Sequence, residues 1–97
     1  MEQRDYFIIL YDYYSTLFSD KQRIYFEDYY FNNLSLGEIS ENEDVSRNAV
    51  HKSIKKVESE LHNYEEKLGL YKKAEELDVI ANEIKDEDLK ERIKNIL

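Results

Sequence analysis

Apolar residues recur at steps of three and four along most of the chain, a spacing that predicts amphipathic α-helices. The first such segment, residues 5–18, is apolar around most of its circumference because it has two stripes. The first stripe comprises Tyr6, Ile9, Leu10, Tyr13 and Leu17, and the second comprises Phe7, Tyr11, Tyr14 and Phe18. A helix of this kind needs cover on two sides. We expect the rest of the chain to cover one face and either the C-terminal tail or a partner subunit to cover the other, and we favour a homodimer interface at the second stripe.

Residues 34–56 have the spacing of two short helices joined by a tight turn. Ser35 and Glu38 form a capping box that opens the first helix, Val45 fills the turn, and Ser46 can cap the second helix. The inward face of the second helix is formed at helical spacing by Ala49, Val50 and Ile54. This pattern predicts a helix-turn-helix whose second helix enters the major groove, although two helices of an ordinary bundle would share the same periodicity.

The second helix of the motif continues well beyond the length that groove reading needs. A heptad seam runs along it up to Gly69, which can end a helix, and its members are Val50, Ile54, Val57, Leu61, Tyr64 and Leu68. We predict a helix of about 22 residues, roughly 33 Å long at 1.5 Å per residue. Its C-terminal half should therefore pack against the first helix or the tail.

The remaining segments are also helical in pattern. Ser19 and Gln22 form a capping box for the helix that precedes the motif, and Asp86 can cap the last helix of the chain. We predict a single helical domain over residues 1–97, with a helix-turn-helix core at 19–57 and a C-terminal helical tail at 70–97. The fold class is all-α.

The composition agrees with that class and removes several kinds of chemistry. The 97 residues include no proline and two glycines, which leaves few places to punctuate strands. The absence of cysteine excludes disulfides, thiolate metal sites and cysteine nucleophiles. No apolar run is long enough to span a bilayer, and no signal-peptide core follows the first residues. We expect a cytoplasmic protein without membrane contact.

The charge is strongly negative overall but is distributed unevenly. A net charge of −8 argues against a surface that binds phosphates indiscriminately. The one basic segment, residues 45–57, contains no acid and four basic residues, namely Arg47, Lys52, Lys55 and Lys56. This segment coincides with the second helix of the motif, which favours nucleic-acid binding by that helix.

Helical spacing places a set of polar side chains on the face opposite the seam, namely Asn48, His51, Lys52 and Lys55. Arg47 near the helix start is the candidate for a bidentate contact with guanine, Asn48 for adenine, and His51 for bases or phosphate. The three lysines, Lys52, Lys55 and Lys56, suit phosphate contacts, which set register without reading sequence. Ser46 and the free amides of the first turn also favour a phosphate oxygen. A solvated helix face is the plain alternative.

Other functions find less support in the residues. Eleven of the 13 aromatic residues lie between Tyr6 and Phe31, but their helical spacing with few basic residues between them is typical of a core rather than a platform for stacked bases. Glu58 and His62 are spaced like two metal ligands, yet no third ligand is indicated. No glycine-rich phosphate loop or activated nucleophile can be assembled. We expect no cofactor, no metal site and no enzymatic activity.

Residues 5–75 resemble the YlxM family of small bacterial helix-turn-helix proteins. The matching segments are residues 20–23 (DKQR), Tyr29-Tyr30, 34–36 with 38–39, 45–47 with 49–50, and 64–70 (YEEKLGL). The central part is also similar to region 4 of bacterial sigma factors, a three-helical core of the winged-helix type. The resemblance implies a DNA-binding-like fold and a regulatory role connected with the signal recognition particle. The turn departs from the family pattern, with Ser40 in place of alanine, and Glu43 and Asp44 in place of leucine and glycine.

Two hypotheses follow. In the first, a homodimeric protein binds DNA or a structured RNA through the segment Ser46 to Lys56 and regulates the signal recognition particle pathway. In the second, the same helix pair docks on a protein, such as the particle's protein subunit or GTPase, without contacting nucleic acid. The acids Glu43 and Asp44 weaken the field of the recognition helix over phosphate and are the residues that favour the second hypothesis.

Overall fold

The computed structural model describes all 97 residues and contains only helices. A short 3-10 turn, Ser15–Leu17, follows the first of six α-helices. The helices are α1 (Gln3–Tyr14), α2 (Asp20–Tyr30), α3 (Leu36–Glu43), α4 (Arg47–Leu68), α5 (Leu70–Ala81) and α6 (Glu87–Lys94). The predicted all-α class is confirmed, and none of the helices is long and apolar enough to cross a membrane.

The helices begin where the sequence provides caps. Ser19 Oγ accepts the Gln22 amide at 3.2 Å, and the Gln22 side chain accepts the Ser19 amide at 3.0 Å. Ser35 and Glu38 form the same reciprocal box at the start of α3. Asp86 accepts two amides of the first turn of α6. These contacts confirm the predicted caps, each of which is typically worth about 1 kcal/mol.

Helix α4 is the centre of the packing because its apolar seam faces α1, α2 and α3. The first four seam residues are buried, namely Val50, Ile54, Val57 and Leu61. Tyr64 is partly buried and Leu68 is exposed. Gly69 then adopts the left-handed conformation, with φ of 61°, and ends the helix after 22 residues. The predicted long helix is confirmed, and its C-terminal half packs on α1 as well as on α5.

The assignment of the two faces of α1 is wrong. The second stripe, which we placed at a homodimer interface, is buried inside the monomer, and its members are Phe7, Tyr11, Tyr14 and Phe18. The ring of Tyr11 stacks on Phe26 of α2 with centroids 4.3 Å apart. The rings of Tyr14 and Phe18 each lie 5.8 Å from that of Tyr64 in α4. Because α2 and α4 together cover this face, no second chain is needed to bury it, and the four side chains are unavailable to a partner.

Tyrosine hydroxyls at the edge of the core find carboxylate partners on neighbouring helices. Tyr14 Oη donates to Glu65 at 2.6 Å, and Glu65 also accepts the amides of Tyr71 and Lys72 at 3.1 Å each. Glu65 therefore caps the first turn of α5 and links α1, α4 and α5.

The molecule is elongated, with a long axis of 54 Å against 24 Å for the other two.

Candidate nucleic-acid interface

The turn between α3 and α4 is held by backbone geometry that the residues permit. Asp44 ends α3 in the left-handed conformation, with φ of 54° and ψ of 49°. Aspartate adopts this conformation more readily than most residues, so the turn forms without glycine. Ser46 then caps α4 by accepting the Ala49 amide at 3.0 Å. Val45 packs against the core between the two helices, as the sequence predicted.

The polar face of α4 is exposed over its first three turns, although the Arg47 side chain contacts α3. The predicted contact residues Ser46, Arg47, Asn48, His51, Lys52, Lys55 and Lys56 are all exposed. Asn48, His51, Lys52 and Lys55 lie on the side of α4 that is turned away from the buried seam. Arg47 precedes Val50 by three residues and lies at the edge that borders α3. The structure thus places most of the candidate residues on the outer side of α4 and Arg47 beside α3.

One residue of the proposed inward face is misplaced. Ala49 is exposed rather than buried. It precedes the seam residue Val50 by one position, which rotates it about 100° around the helix and away from α3. The small side chain therefore belongs to the outer surface, where it leaves room for a ligand to approach the backbone of α4.

The Arg47 guanidinium lies against the backbone of α3, which the sequence did not reveal. A Cβ atom built on Gly37 would fall 2.6 Å from Arg47 Nη2, closer than side-chain atoms approach one another. Glycine at this position therefore provides the space in which the guanidinium lies. The signal in the sequence is a glycine in the first turn of a helix, where its backbone freedom is not required. The guanidinium of the candidate for base reading thus rests on the first turn of α3.

The three lysines of the face differ in how their charge is balanced. Lys55 Nζ lies 3.3 Å from a carboxylate oxygen of Glu58. The Glu58 side chain is largely buried and also accepts a hydrogen bond from the Tyr30 hydroxyl. Lys52 and Lys56 form no ion pair. The pair leaves Lys55 less positive toward a phosphate than its neighbours. Lys52 and Lys56 are therefore the stronger candidates for phosphate contacts.

The two residues spaced like metal ligands have other roles. Glu58 binds Tyr30 and Lys55, while the imidazole of His62 packs on the rings of Tyr6 and Phe7, with centroids 5.5 and 5.4 Å away. No group of three histidine, aspartate or glutamate side chains in the structure could hold a metal ion. The aromatic residues of α1 and α2 pack mainly on one another and on α4, which matches the interpretation of that cluster as core.

An arginine outside the motif fixes the helix that supports α4. Arg4 Nη2 donates to the Tyr30 carbonyl at 2.8 Å, and its guanidinium carbon lies 4.8 Å from the centroid of the Tyr30 ring. The same nitrogen reaches Asn33 Oδ1 at 3.4 Å, at the loop that leads to α3. A cation at the C-terminal end of α2 is also attracted to the negative end of the helix dipole. Arg4 therefore ties α1 to the entrance of the motif.

The fold and the exposed face define a small helix-turn-helix protein. The chain belongs to the UPF0122 family, described as "Putative helix-turn-helix protein, YlxM / p13 like", whose model matches residues 1–96. The resemblance stated from the sequence is thereby confirmed.

Curated relatives carry the same family name. A UPF0122 protein of Caldanaerobacter subterraneus is 51% identical over 78 residues, which cover 80% of this chain and 67% of the relative. One from Thermoanaerobacter pseudethanolicus is 54% identical over 69 residues, covering 71% and 59%. One from Listeria welshimeri is 39% identical over 91% of both chains. The chain thus spans about three fifths to two thirds of the first two relatives and nearly all of the third.

Proposed function

We propose that this protein binds DNA or a structured RNA through the face Ser46 to Lys56 of α4 and acts, without catalysis, as a cytoplasmic regulator. The observation that carries the proposal is the location of the basic segment. The only stretch with four cations and no acid falls on the exposed face of the second helix of a helix-turn-helix. Phosphate attraction supplies most non-specific affinity, and base contacts from such a helix supply specificity.

A role in the signal recognition particle pathway is the more specific part of the proposal. It is supported by the likeness to YlxM proteins and by nothing in the geometry of the face. The particle's RNA is accordingly the first structured RNA to test, beside duplex DNA of random sequence. A homodimer is also part of the proposal, with an interface other than the buried stripe of α1.

The salt dependence of binding tests the nucleic-acid ligand. If three or four cations neutralise phosphates, affinity should fall roughly 100-fold between about 50 and 200 mM salt. Fluorescence anisotropy with labelled duplex and labelled particle RNA measures it. Lys52→Ala should weaken binding to all sequences and make the salt slope shallower by about one. Lys85→Ala removes an exposed lysine outside the face and is the matched control. A binding curve that does not change with salt would exclude the phosphate contacts.

Arg47→Ala should relax sequence preference, because a bidentate arginine–guanine contact is worth about 1–3 kcal/mol of discrimination. Arg47→Lys keeps the charge but cannot reproduce the planar pair of donors, so it should lose the same preference while retaining the salt slope. Selection from a random duplex pool, performed with each variant, measures this. Unchanged selected sequences for both variants would mean that Arg47 does not read bases.

Docking on a protein of the signal recognition particle is the second candidate function. The specific observation in its favour is that Glu43 and Asp44, both exposed, border the basic face at the turn. Charges of both signs on one surface suit a mixed protein surface better than a phosphate backbone. Binding to the particle's protein subunit or GTPase, combined with absence of binding to both nucleic acids, would favour this candidate. Glu43→Gln with Asp44→Asn should then weaken docking, whereas the same change should strengthen nucleic-acid binding.

A further inference from the structure

The hairpin of α5 and α6 leaves an apolar groove uncovered. The groove, which we term the tail groove, is lined by Lys73, Glu76, Leu77, Ile80, Ile96 and Leu97. Ile80 is 54% exposed and Ile96 is 66% exposed. Within α5 and α6 the only buried residue is Ala81. The hairpin thus folds on itself while its apolar residues remain in contact with water.

The whole chain exposes more surface than a compact monomer of its mass. The accessible surface is 6732 Å² for 11.8 kDa, and the usual scaling gives roughly 5,900 Å² for a monomer of that size. The radius of gyration is 16.7 Å, compared with about 12.5 Å for a compact domain of this length. The excess of about 800 Å² follows from the elongated shape, with a long axis of 54 Å against 24 Å for the other two. An interface of standard size takes about 800 Å² from each partner, and the hairpin of α5 and α6 offers uncovered apolar side chains for one.

The charges of α5 are arranged in the unfavourable order for an isolated helix. Lys72 and Lys73 lie in its first turn, while Glu76 and Asp78 lie in its second half, so each group is on the side of the helix dipole that has its own sign. Asp78 is balanced by Lys94 at 3.4 Å, but Lys73 and Glu76 on the tail groove have no ion-pair partner. A second copy of α5 running antiparallel would bring the basic half of each helix to the acidic half of the other.

We propose that the tail groove binds a second copy of this chain, with the two α5 helices antiparallel about a two-fold axis. In the apolar centre Leu77 lies near the axis, and Ile80 packs beside the stem of Lys73 of the partner subunit, whose amino group reaches back to Glu76. A two-fold contact is self-complementary, so each subunit must offer both the cation and the anion, as this groove does. The inference rests on the proposed homodimer and is independent of the nucleic-acid ligand.

The apolar centre is tested by a matched pair of substitutions. Ile80→Glu places a charge in the groove and should weaken self-association at least about 100-fold. Val79→Glu alters the neighbouring residue, which is 63% exposed and lines a different groove, and should leave the mass unchanged. Sedimentation equilibrium measures both, with the wild-type mass expected at twice 11.8 kDa. Circular dichroism identifies any variant that fails to fold, and Leu77→Lys then provides a second test of the same centre.

The charge pairing is tested by reversing one charge in each of two variants and then mixing the variants. Lys73→Glu alone and Glu76→Lys alone should each weaken the dimer about tenfold, because like charges then meet across the two-fold. When the two variants are mixed, each pair again joins opposite charges, and a heterodimer should form with nearly wild-type affinity. Only two copies of this chain predict that recovery, since an unrelated protein or another segment of the same chain would not regain its contact on mixing.

The outcomes separate this inference from the proposed function. A wild-type chain that is monomeric up to about 100 μM overturns the homodimer and this surface together. A dimer that Ile80→Glu leaves intact, or charge variants that fail to recover on mixing, overturn the tail groove alone. Anisotropy with nucleic acid is measured on the same samples. If the wild-type chain forms a dimer but does not bind nucleic acid, that result counts against the face on α4 and leaves the tail groove unaffected.

Discussion

Phe26→Ala is expected to lower the free energy of unfolding by about 3–5 kcal/mol, enough to unfold a small domain with little stability in reserve. The Phe26 side chain is fully buried, and its ring stacks between those of Tyr11 and Tyr30 with centroids 4.3 Å away on each side. Alanine would leave a cavity between α1 and α2. It would also withdraw support from Tyr30, whose hydroxyl donates to Glu58 of α4.

Urea denaturation followed by circular dichroism measures the effect. Phe31→Ala is the matched control, because Phe31 is 47% exposed at the end of the same helix and its loss should cost less than about 1 kcal/mol. Equal losses for the two variants would mean that the stack of three rings does not hold α1 on α2. Nucleic-acid binding by the Phe26 variant should fall at least in proportion to the unfolded fraction, although no contact residue is altered, because Tyr30 also orients α4 through Glu58.

The parts of the fold that the sequence predicted are those that local chemistry determines. The boxes at Ser19 and Ser35 and the cap at Asp86 each satisfy first-turn amides within four residues, so a short window contains all the required information. The apolar seam of α4 could be predicted in the same way, because its spacing depends on the sequence of that helix alone. The start of the recognition helix and the position of its basic face therefore required no knowledge of the tertiary structure.

The parts that it did not predict depend on which helix lies against which. Both stripes of α1 have helical spacing, and periodicity could not say that the monomer would bury every member of the stripe with Phe7 and Tyr11 but only Leu10 of the other. Leu17, from the stripe expected inside, is instead exposed. The Arg47 contact with Gly37 joins residues ten positions apart through the turn, which no spacing rule addresses. Long-range pairing is what the tertiary structure adds.

These two kinds of information meet at the candidate interface. The exposed face of α4 follows from the sequence, but its rigidity comes from contacts at a distance, in which Arg4 binds the end of α2 and Tyr30 of α2 binds Glu58 on α4. A recognition helix must be held firmly for base contacts to discriminate, because each misplaced side chain forfeits its bidentate geometry. The aromatic residues of the core therefore support the proposed function indirectly, by orienting α4.

Raising the pH above the ordinary tyrosine pKa of 10.0 is expected to destabilise the protein steeply. Burial and a hydrogen bond to Glu65 raise the pKa of Tyr14 to about 12, and burial with a hydrogen bond to Glu27 raises that of Tyr11 to about 12. Burial and Glu58 raise the pKa of Tyr30 as well. The unfolded chain releases these protons near pH 10, whereas the folded chain retains them. The stabilisation is therefore complete below about pH 10 and is lost as the pH rises through about 12.

Melting temperatures recorded across this range, together with the absorbance of tyrosinate, measure the effect. The absorbance should rise as the fold is lost, because the hydroxyls of Tyr11, Tyr14 and Tyr30 then become free to ionise. Tyr14→Phe removes one coupled proton, so its melting temperature should be lower at neutral pH, where the bonds to Glu65 and the Leu70 amide are missing, but should decline less steeply above pH 10. A single ionisation near pH 10 with an unchanged melting temperature would show that the three hydroxyls are not held by their carboxylates. Because those carboxylates belong to α2 and α4, that result would also remove the contacts that orient the recognition helix.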